Sequence, residues 1–169
     1  LMAANPGRFF AINIHQGGYA GSNPNYKTQW GDALAAQYNI SSYPSGTLNR
    51  HTFGSSAVVE KSTWTRYTDT IKRKPSPVNV AAQSTIDWNT RQLTVVVEVY
   101  YTANATNSTN KLNIALLQDS ILGPQVGASN YNPDMMVGNQ YMHMHMLRDF
   151  VTGQWGADIP TTTAGTFFT

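Results

Sequence analysis

The chain has 169 residues, of which 41% are hydrophobic and 12% charged, and it contains no cysteine. The hydrophobic share predicts a folded protein, while the low charge leaves a surface of Thr, Asn, Ser and Gln side chains, as secreted and envelope proteins have. A formal net charge of +2 is too small to indicate nucleic-acid binding, and without cysteine these residues carry no disulfide, thiolate nucleophile or Cys-ligated metal.

The two ends of the sequence show no targeting signal. No apolar run is long enough to span a bilayer, and the amino terminus does not have the pattern of a signal peptide. The chain begins abruptly at Leu1, and residues 166–169 have the pattern of a strand rather than of a polar tail. We therefore expect a fragment trimmed at both ends.

The first predicted element is a strand at residues 9–14, a nearly continuous apolar run of the kind that is covered on both faces in a parallel or mixed sheet. His15 follows it, at the end of the strand where ligands bind in open α/β sheets. That position fits a functional histidine or a loop histidine bonded to the turn, and we favour the loop. Residues 16–27, rich in Gly, Asn and Pro, predict a surface loop.

A helix is predicted next, because apolar residues recur every four positions with alanines between them. These apolar positions are Trp30, Leu34 and Tyr38. Pro44 cannot continue a helix and forces Tyr43 away from helical dihedral angles. We expect residues 47–49 to be extended, and the Tyr43-Pro44 bond is a candidate for the cis form.

The first half of the chain ends with a short strand and a second helix. Residues 57–59 predict the strand, and Ser62 can cap a helix that reaches Lys74. The buried stripe of this helix is predicted at Trp64, Tyr67 and Ile71. Pro75-Ser76-Pro77 ends the helix. We place the domain boundary there, between residues 1–74 and residues 75–169.

Beyond this boundary the apolar period changes from that of a helix to that of a strand. Residues 78–83 predict a half-exposed strand, and a turn at residues 87–90 leads into a second strand at residues 93–101, so that a long antiparallel hairpin results. Further strands are predicted at 112–116, 141–147 and 166–168, with a long excursion at 123–140. Consecutive strands with polar turns indicate a small β-sandwich.

Several long segments resemble the Omp28-like envelope proteins of Bacteroidetes, in the same order along the chain. They are FFAINIH (9–15), NIHQGGYA (13–20), PSPVNVAA (75–82), ALLQDSILGPQ (115–125) and MLRDFVTGQWG (146–156). The strand, the helix and the pattern Tyr38-x-Ile40-x-x-x-Pro44 also resemble the second half of a thioredoxin fold. The resemblance implies a mixed α+β fold. Residues 1–74 would be a partial thioredoxin-like half that lacks its first strand and helix, and residues 75–169 an antiparallel immunoglobulin-like β-sandwich, truncated at its carboxyl end.

The resemblance also points to one loop as a candidate site. In thioredoxin-like proteins the corresponding proline is cis and faces the redox dithiol. Ser42, Tyr43 and Pro44 are therefore candidates for a cis-proline loop. The backbone of such a loop suits pairing with an extended peptide.

Residues 142–146, with the sequence MHMHM, are the strongest candidate for metal binding. In a strand, His143 and His145 share one face, and the three methionines share the other. Two imidazoles at that spacing can share a zinc or copper ion, which makes His143 and His145 metal candidates. Alternatively, the methionines pack in the sandwich core and the histidines are exposed. We favour the packing, because no third or fourth ligand can be located.

No motif assembles a nucleophile, a base and an orienting group, so no catalytic residue is assigned. Modification patterns are present instead. Asp69-Thr70-Ile71 and Asp119-Ser120-Ile121 resemble the pattern used for periplasmic O-glycosylation in Bacteroidetes, which makes Thr70 and Ser120 candidates.

These observations predict a non-catalytic interaction or structural module of a bacterial envelope protein, such as an outer-membrane or periplasmic lipoprotein. One alternative is a fragment of a thiol-disulfide oxidoreductase-like protein whose Cys pair lies upstream, and another is copper or zinc binding by the Met/His run. We expect a protein or glycan partner, no nucleic acid and no cofactor. Membrane association is expected only through a missing amino-terminal anchor.

Overall fold

The computed structural model describes residues 1–21 and 24–169 and has a mixed α/β fold with 19% helix and 32% strand. The described residues form three α-helices and twelve strands. The helices are α1 (Gln29–Gln37), α2 (Trp64–Lys72) and α3 (Ala128–Tyr131). The strands are β1 (Ser45–Gly46), β2 (Val59–Glu60), β3 (Val78–Asp87), β4 (Gln92–Tyr101), β5 (Asn110–Leu112), β6 (Ala115–Gln118), β7 (Ile121–Gly123), β8 (Met136–Val137), β9 (Gln140–His143), β10 (Met146–Phe150), β11 (Ala157–Ile159) and β12 (Phe167–Phe168).

The contacts divide the chain into two units. The first unit consists of Leu1–Arg73 and Ile114–Gln154, and the second of Lys74–Asn113 and Trp155–Thr169. The second unit thus begins close to the predicted division after residue 74, whereas residues 114–154 belong to the first unit. The two-domain division at 1–74 and 75–169 stays a prediction. None of the described helices has the length and apolar character needed to span a bilayer.

Helix α1 confirms the helix predicted from the four-residue period. It begins after Thr28, whose side-chain oxygen accepts a hydrogen bond of 3.0 Å from the backbone N–H of Gly31. This bond satisfies one of the amide groups that have no partner within the helix. One side of α1 packs in a small hydrophobic core. Its members are Leu34, Leu147 and Phe150, with Trp30, Tyr38, Ala115 and Leu117 packed against them.

The segment after Pro44 differs in detail from the prediction. The strand lies earlier, at β1, and pairs antiparallel with β2, whereas residues 47–49, predicted to be extended, lead into a turn. Helix α2 does not begin at Ser62. A 3-10 turn at Lys61–Thr63 precedes it, and no side chain caps its first turn. The predicted stripe at Trp64, Tyr67 and Ile71 is half-buried, and Thr68 is the buried residue of the helix.

The predicted buried strand at residues 9–14 is wrong. Asn13 alone in this segment is bridged, in parallel fashion, and exchanges backbone hydrogen bonds with His145 (2.8 Å) and Leu147 (2.9 Å). An apolar run forms a buried strand only where neighbours cover its two faces, and here three of the four large side chains are exposed. Their exposed fractions are 80% for Phe10, 47% for Ile12 and 42% for Ile14.

The remaining strands of the first unit form two small antiparallel sheets, β10-β6 and β7-β9-β8. The excursion predicted at residues 123–140 contains α3, a 3-10 turn at Pro133–Met135 and β8. The single strand predicted at residues 141–147 is wrong, because β9 and β10 are separated at Met144 and His145. His145 has a φ of 55°, which a regular strand does not allow.

The second unit confirms the predicted hairpin. Strands β3 and β4 pair in register over their whole length, from Val78 opposite Tyr101 to Asp87 opposite Gln92. The carboxylate of Asp87 accepts a hydrogen bond of 2.8 Å from the backbone N–H of Asn89, which closes the turn. The three-stranded sheet has the order β12-β4-β3, and β12 confirms the last predicted strand. The strand predicted at residues 112–116 is divided, because β5 pairs with β11 and β6 with β10.

Candidate functional site

Two histidines that are far apart in the sequence meet in the first unit. His15 follows the Asn13 bridge, and His143 ends β9. Nε2 of His15 lies 3.2 Å from Nδ1 of His143, and the two ring centroids are 5.0 Å apart in an edge-on arrangement. His143 is buried, with 4% of its surface exposed. The pair is therefore a hydrogen-bonded imidazole couple inside the protein.

The surrounding carbonyl group determines which nitrogens carry protons. Nε2 of His143 lies 3.3 Å from the backbone oxygen of Pro124. A carbonyl oxygen only accepts, so this nitrogen donates, and Nδ1 of a neutral His143 then accepts from Nε2 of His15. Nδ1 of His15 keeps a free lone pair in this arrangement.

Both imidazoles are held in the neutral form. Burial, followed by electrostatic repulsion of the charged form by His143 and Arg148, lowers the pKa of His15 from 6.5 to about 4. Burial also lowers the pKa of His143, although its hydrogen bond to Pro124 opposes this effect. A neutral imidazole can act as an acceptor or a metal ligand near pH 7.

Two tyrosines enclose the histidine pair. The ring centroid of Tyr26 lies 5.3 Å from that of His15 and 5.0 Å from that of His143, and Tyr141 packs 5.0 Å from His143 on edge. Within the described residues the buried Tyr26 hydroxyl has no hydrogen-bond partner. A Cβ atom at Gly123 would overlap this hydroxyl, so the close approach requires glycine. We call His15, Tyr26, Tyr141 and His143 the imidazole cluster.

His143 and His145 do not share a strand face, so the predicted metal pair is not formed. The favoured alternative, with both histidines exposed, is wrong for His143, which has 4% of its surface exposed. His143 is buried against His15, whereas His145 is half-exposed and its Nδ1 lies 3.2 Å from the carboxylate of Asp119. The break between β9 and β10 removes the shared face. In the described part of the chain, no group of three or more His, Cys, Asp or Glu side chains is positioned to hold a metal ion.

His15 does not fit the preferred sequence interpretation of a loop histidine bonded to its own turn, because its partner is His143. The predicted position at the end of a buried strand does not account for this environment, because residues 9–14 form no such strand. Tyr26 and Tyr141 were missed, since nothing in the sequence links residues 26 and 141 to the two histidines.

The cis-proline loop candidates lie in an exposed part of the first unit. The Tyr43–Pro44 peptide bond is cis. The Tyr43 hydroxyl donates a hydrogen bond to the side-chain oxygen of Gln16, the residue after His15. The Ser42 and Ser45 hydroxyls lie 3.3 Å apart. No ligand role for Ser42, Tyr43 and Pro44 follows from these contacts, and that role stays a prediction.

The O-glycosylation candidates are both on the surface. Thr70 lies on α2 and donates a hydrogen bond of 3.1 Å to the backbone oxygen of Arg66. Ser120 lies between β6 and β7, with a φ of 61° and its backbone N–H 3.3 Å from the sulfur of Met144. Exposure makes both hydroxyls accessible, and their modification stays a prediction.

Strand β3 is the second candidate site, and it is longer and more exposed than the sequence predicted. Residues 78–83 were expected to form a half-exposed strand, but the strand is longer, and every residue after Val78 is exposed. Its sheet has the order β12-β4-β3, so within residues 1–21 and 24–169 no strand pairs with its outer edge. The sequence signal was available, because no charged residue lies between Val78 and Ile86.

One of the comparisons with known proteins identifies a family. A family model described as outer membrane protein Omp28 matches residues 31–169, most of the chain. No curated protein and no solved structure matches. The match confirms the resemblance to Omp28-like proteins and the predicted location in the cell envelope. The chain therefore belongs to the Omp28 family of outer membrane proteins.

Proposed function

We propose that this chain is a non-catalytic, protein-binding module of the cell envelope that recruits an extended segment of its partner to the free edge of β3. The observation that carries the proposal is the exposed edge of this strand. Added strands bind such edges through backbone hydrogen bonds, and side-chain pockets supply specificity. A peptide complements this ladder better than a glycan does, because it presents N–H and C=O groups at the same spacing.

The ladder between β3 and β4 shows which backbone groups face outward. The oxygen of Pro77 accepts a hydrogen bond of 2.8 Å from the N–H of Thr102. Hydrogen-bonded pairs alternate along an antiparallel ladder, so the odd-numbered residues of β3 bond to β4. The even-numbered residues therefore direct their N–H and C=O groups to the free edge. These residues are Val78, Val80, Ala82, Ser84 and Ile86. At Val78 both groups are already hydrogen-bonded to the hydroxyl of Ser76, so the groups open to a partner are those of the other four residues.

The side chains beside this edge favour association. One face of the sheet carries the side chains of the even-numbered β3 residues together with those of Val97, Val99 and Tyr101 in β4. These three β4 side chains are buried, with 8%, 1% and 1% of their surface exposed. Val80, opposite Val99, is 59% exposed, and the apolar face continues to Ile86 and Leu93 at 41% and 42%. Natural edge strands usually avoid pairing by means of charges, prolines or bulges, and β3 has none of these over residues 78–86.

A proline substitution on the outer edge tests the proposal. Ala82→Pro removes an outward N–H without taking a hydrogen bond from β4, whereas Ala82→Thr keeps that N–H and serves as the matched control. We expect the parent and Ala82→Thr to capture the same proteins from an outer-membrane extract, and Ala82→Pro to lose them at unchanged thermal stability. Equal capture by all three proteins would refute the role of this edge.

The proposal extends to the architecture that the resemblance implies. A thioredoxin-like arrangement in the first unit is supported by the order α1, β1, β2, α2 and by the antiparallel pairing of β1 with β2. An immunoglobulin-like arrangement in the second unit is supported by its two antiparallel sheets, β12-β4-β3 and β11-β5. We further propose a lipoprotein of Bacteroidetes, held at the membrane by an anchor outside these residues.

Metal binding is a second candidate function, carried by the separation of His15 and His143. Two nitrogens bonded to one tetrahedral Zn²⁺ at about 2.0–2.1 Å lie roughly 3.3 Å apart. Nε2 of His15 and Nδ1 of His143 are 3.2 Å apart, so a zinc or copper ion could replace the shared proton, with water as further ligands. The candidate pair is thus His15 and His143, rather than His143 and His145.

Calorimetric titration with Zn(II), Cu(II) and Cu(I) tests this candidate. We expect His15→Ala and His143→Ala to abolish binding and the control His145→Ala to retain it. Binding that disappears only in His145→Ala would place the metal elsewhere. The oxidoreductase alternative has no support in these residues, which contain no cysteine, and it stays a prediction about a longer protein, to be settled by sequencing the full gene.

A further inference from the structure

We propose that the extended segment bound by β3 is the β3 strand of a second copy of this chain, so that two copies form one continuous six-stranded sheet. The inference rests on the proposed function and names its partner. It follows from the length, register and chemistry of β3 itself, described in the second unit.

Strand β3 can pair with itself over its central residues, 80–84. A two-fold axis through Ala82 places Ala82 opposite Ala82 of the second copy, Val80 opposite Ser84, and Val78 opposite Ile86. Val80, Ala82, Ser84 and Ile86 direct their backbone groups to the free edge, whereas both backbone groups of Val78 are hydrogen-bonded to the hydroxyl of Ser76. The Ala82 pair and the two Val80–Ser84 pairs therefore form about six backbone hydrogen bonds between the copies, two for each hydrogen-bonded pair. No bulge interrupts β3, so its edge presents these groups at regular spacing.

The side chains in this register are self-complementary on both faces. On the apolar face, Val78 meets Ile86 at each end, Val80 meets the small Ser84, and the two Ala82 side chains lie at the centre. On the other face, Asn79 meets Thr85, which is a polar pair, and the small side chain of Ala81 meets Gln83 without a clash. Since residues 78–86 carry no charge, no like charges are brought together at the axis. A closed two-fold pairing requires this kind of self-complementarity.

The second copy also covers apolar surface that the hairpin leaves open. Val80 and Ile86 are 59% and 41% exposed, and both lie on the apolar face beside the free edge. In the two-fold register each gains a cross-strand neighbour on that face. An unrelated extended segment would satisfy the same backbone groups, but the match between the two ends of β3 favours a second β3.

Engineered cysteines test the register, because the parent has no cysteine. Ala82 faces its own counterpart at about 5.5 Å between Cα atoms, a distance that a disulfide spans. We expect Ala82→Cys to form a disulfide-linked dimer under diamide oxidation. Ile86→Cys alone is the control, since its counterpart lies about 26 Å away along the strand. A mixture of Val78→Cys and Ile86→Cys proteins should cross-link again, because these positions face each other.

Light scattering over a concentration series completes the test. We expect the parent and Ala82→Thr to dimerise and Ala82→Pro to remain monomeric. A monomeric parent at all concentrations, or equal cross-linking of Ala82→Cys and Ile86→Cys, would overturn the inference. If Ala82→Pro still loses its partners from the membrane extract in that case, the proposed function stands and the partner is a different protein. If Ala82→Pro alters neither the dimerisation nor the capture of proteins from the membrane extract, both proposals fail.

Discussion

At His15 and His143, burial decides the protonation state. Each imidazole has a pKa below its ordinary value, chiefly because a charged ring is poorly solvated inside the protein. The couple is stable as a neutral pair in which one ring donates and the other accepts. A proton added to His143 at Nδ1 would remove the acceptor and place two donors 3.2 Å apart. The hydrogen bond between the two rings is therefore stable at neutral pH.

The stability of the protein should therefore fall as the pH drops from 6.5 to about 4. In this window the unfolded chain binds a proton at His15 that the folded chain does not, and such linkage favours the unfolded state. The contribution of the neutral imidazole is complete above pH 6.5. We expect His15→Gln to show a shallower decrease of the free energy of unfolding, measured by urea denaturation across this range.

His145→Gln is the control for this measurement, because His145 lies outside the imidazole cluster. It should keep the decrease that His15 causes. An identical pH dependence in the parent and His15→Gln would show that the pair does not exist in solution.

Packing at Gly123 is the second residue-scale test of the cluster. An alanine there would overlap the hydroxyl of Tyr26, which is buried against the two histidines. Relief requires a shift of the tyrosine or of β7, and such overpacking typically costs about 1–3 kcal/mol. We expect Gly123→Ala to lower the free energy of unfolding by that amount. Gly18→Ala, which meets no atom within 4 Å, should change it little, and equal effects would contradict the close approach of Tyr26 to Gly123.

At the scale of the elements, local patterns were sufficient where an element depends on its own residues. The four-residue period predicted α1, and alternating valines with a closing turn predicted the β3–β4 hairpin. The strand prediction for residues 9–14 was wrong, because an apolar run does not show whether neighbouring elements exist to cover it. The prediction of one strand at residues 141–147 was wrong, because the alternation of side-chain types continues through His145, whose left-handed backbone interrupts the strand. The sequence pattern contains no sign of that break.

The candidate sites show the same limit. His15 and His143 were both singled out by the sequence, but they are 128 positions apart, and only the tertiary fold makes them a pair. The edge of β3 could have been anticipated from its lack of charge, but its position at the end of the sheet depends on where β12 pairs. The composition predicts a strand that is prone to associate, whereas the sheet topology determines whether its edge is free.

At the scale of the whole molecule, the two units interleave along the chain. The segment Ile114–Gln154 belongs to the first unit, although it lies between two segments of the second. It packs there because Leu147 and Phe150 share a core with Trp30 and Leu34 of α1. The change in sequence pattern can locate the first point at which the chain passes from one unit to the other, between residues 73 and 74. It cannot find the return at Ile114, since the strand pattern continues through that point.

The two ways of dividing the chain predict different behaviour for the carboxyl-terminal half. Strands β5 and β11 pair with Ala157 opposite Leu112, so Asn113 and Trp155 can be joined by a short Gly-Ser linker as a hairpin. We expect Lys74–Asn113 joined to Trp155–Thr169 to fold alone, with protected amides in β4 by hydrogen exchange. In the contiguous chain of residues 75–169, amides of Met146–Phe150 should exchange rapidly, because Trp30 and Leu34 are missing from their core. Strong protection of Met146–Phe150 in that chain, or an unfolded joined chain, would favour the sequence-based domains instead.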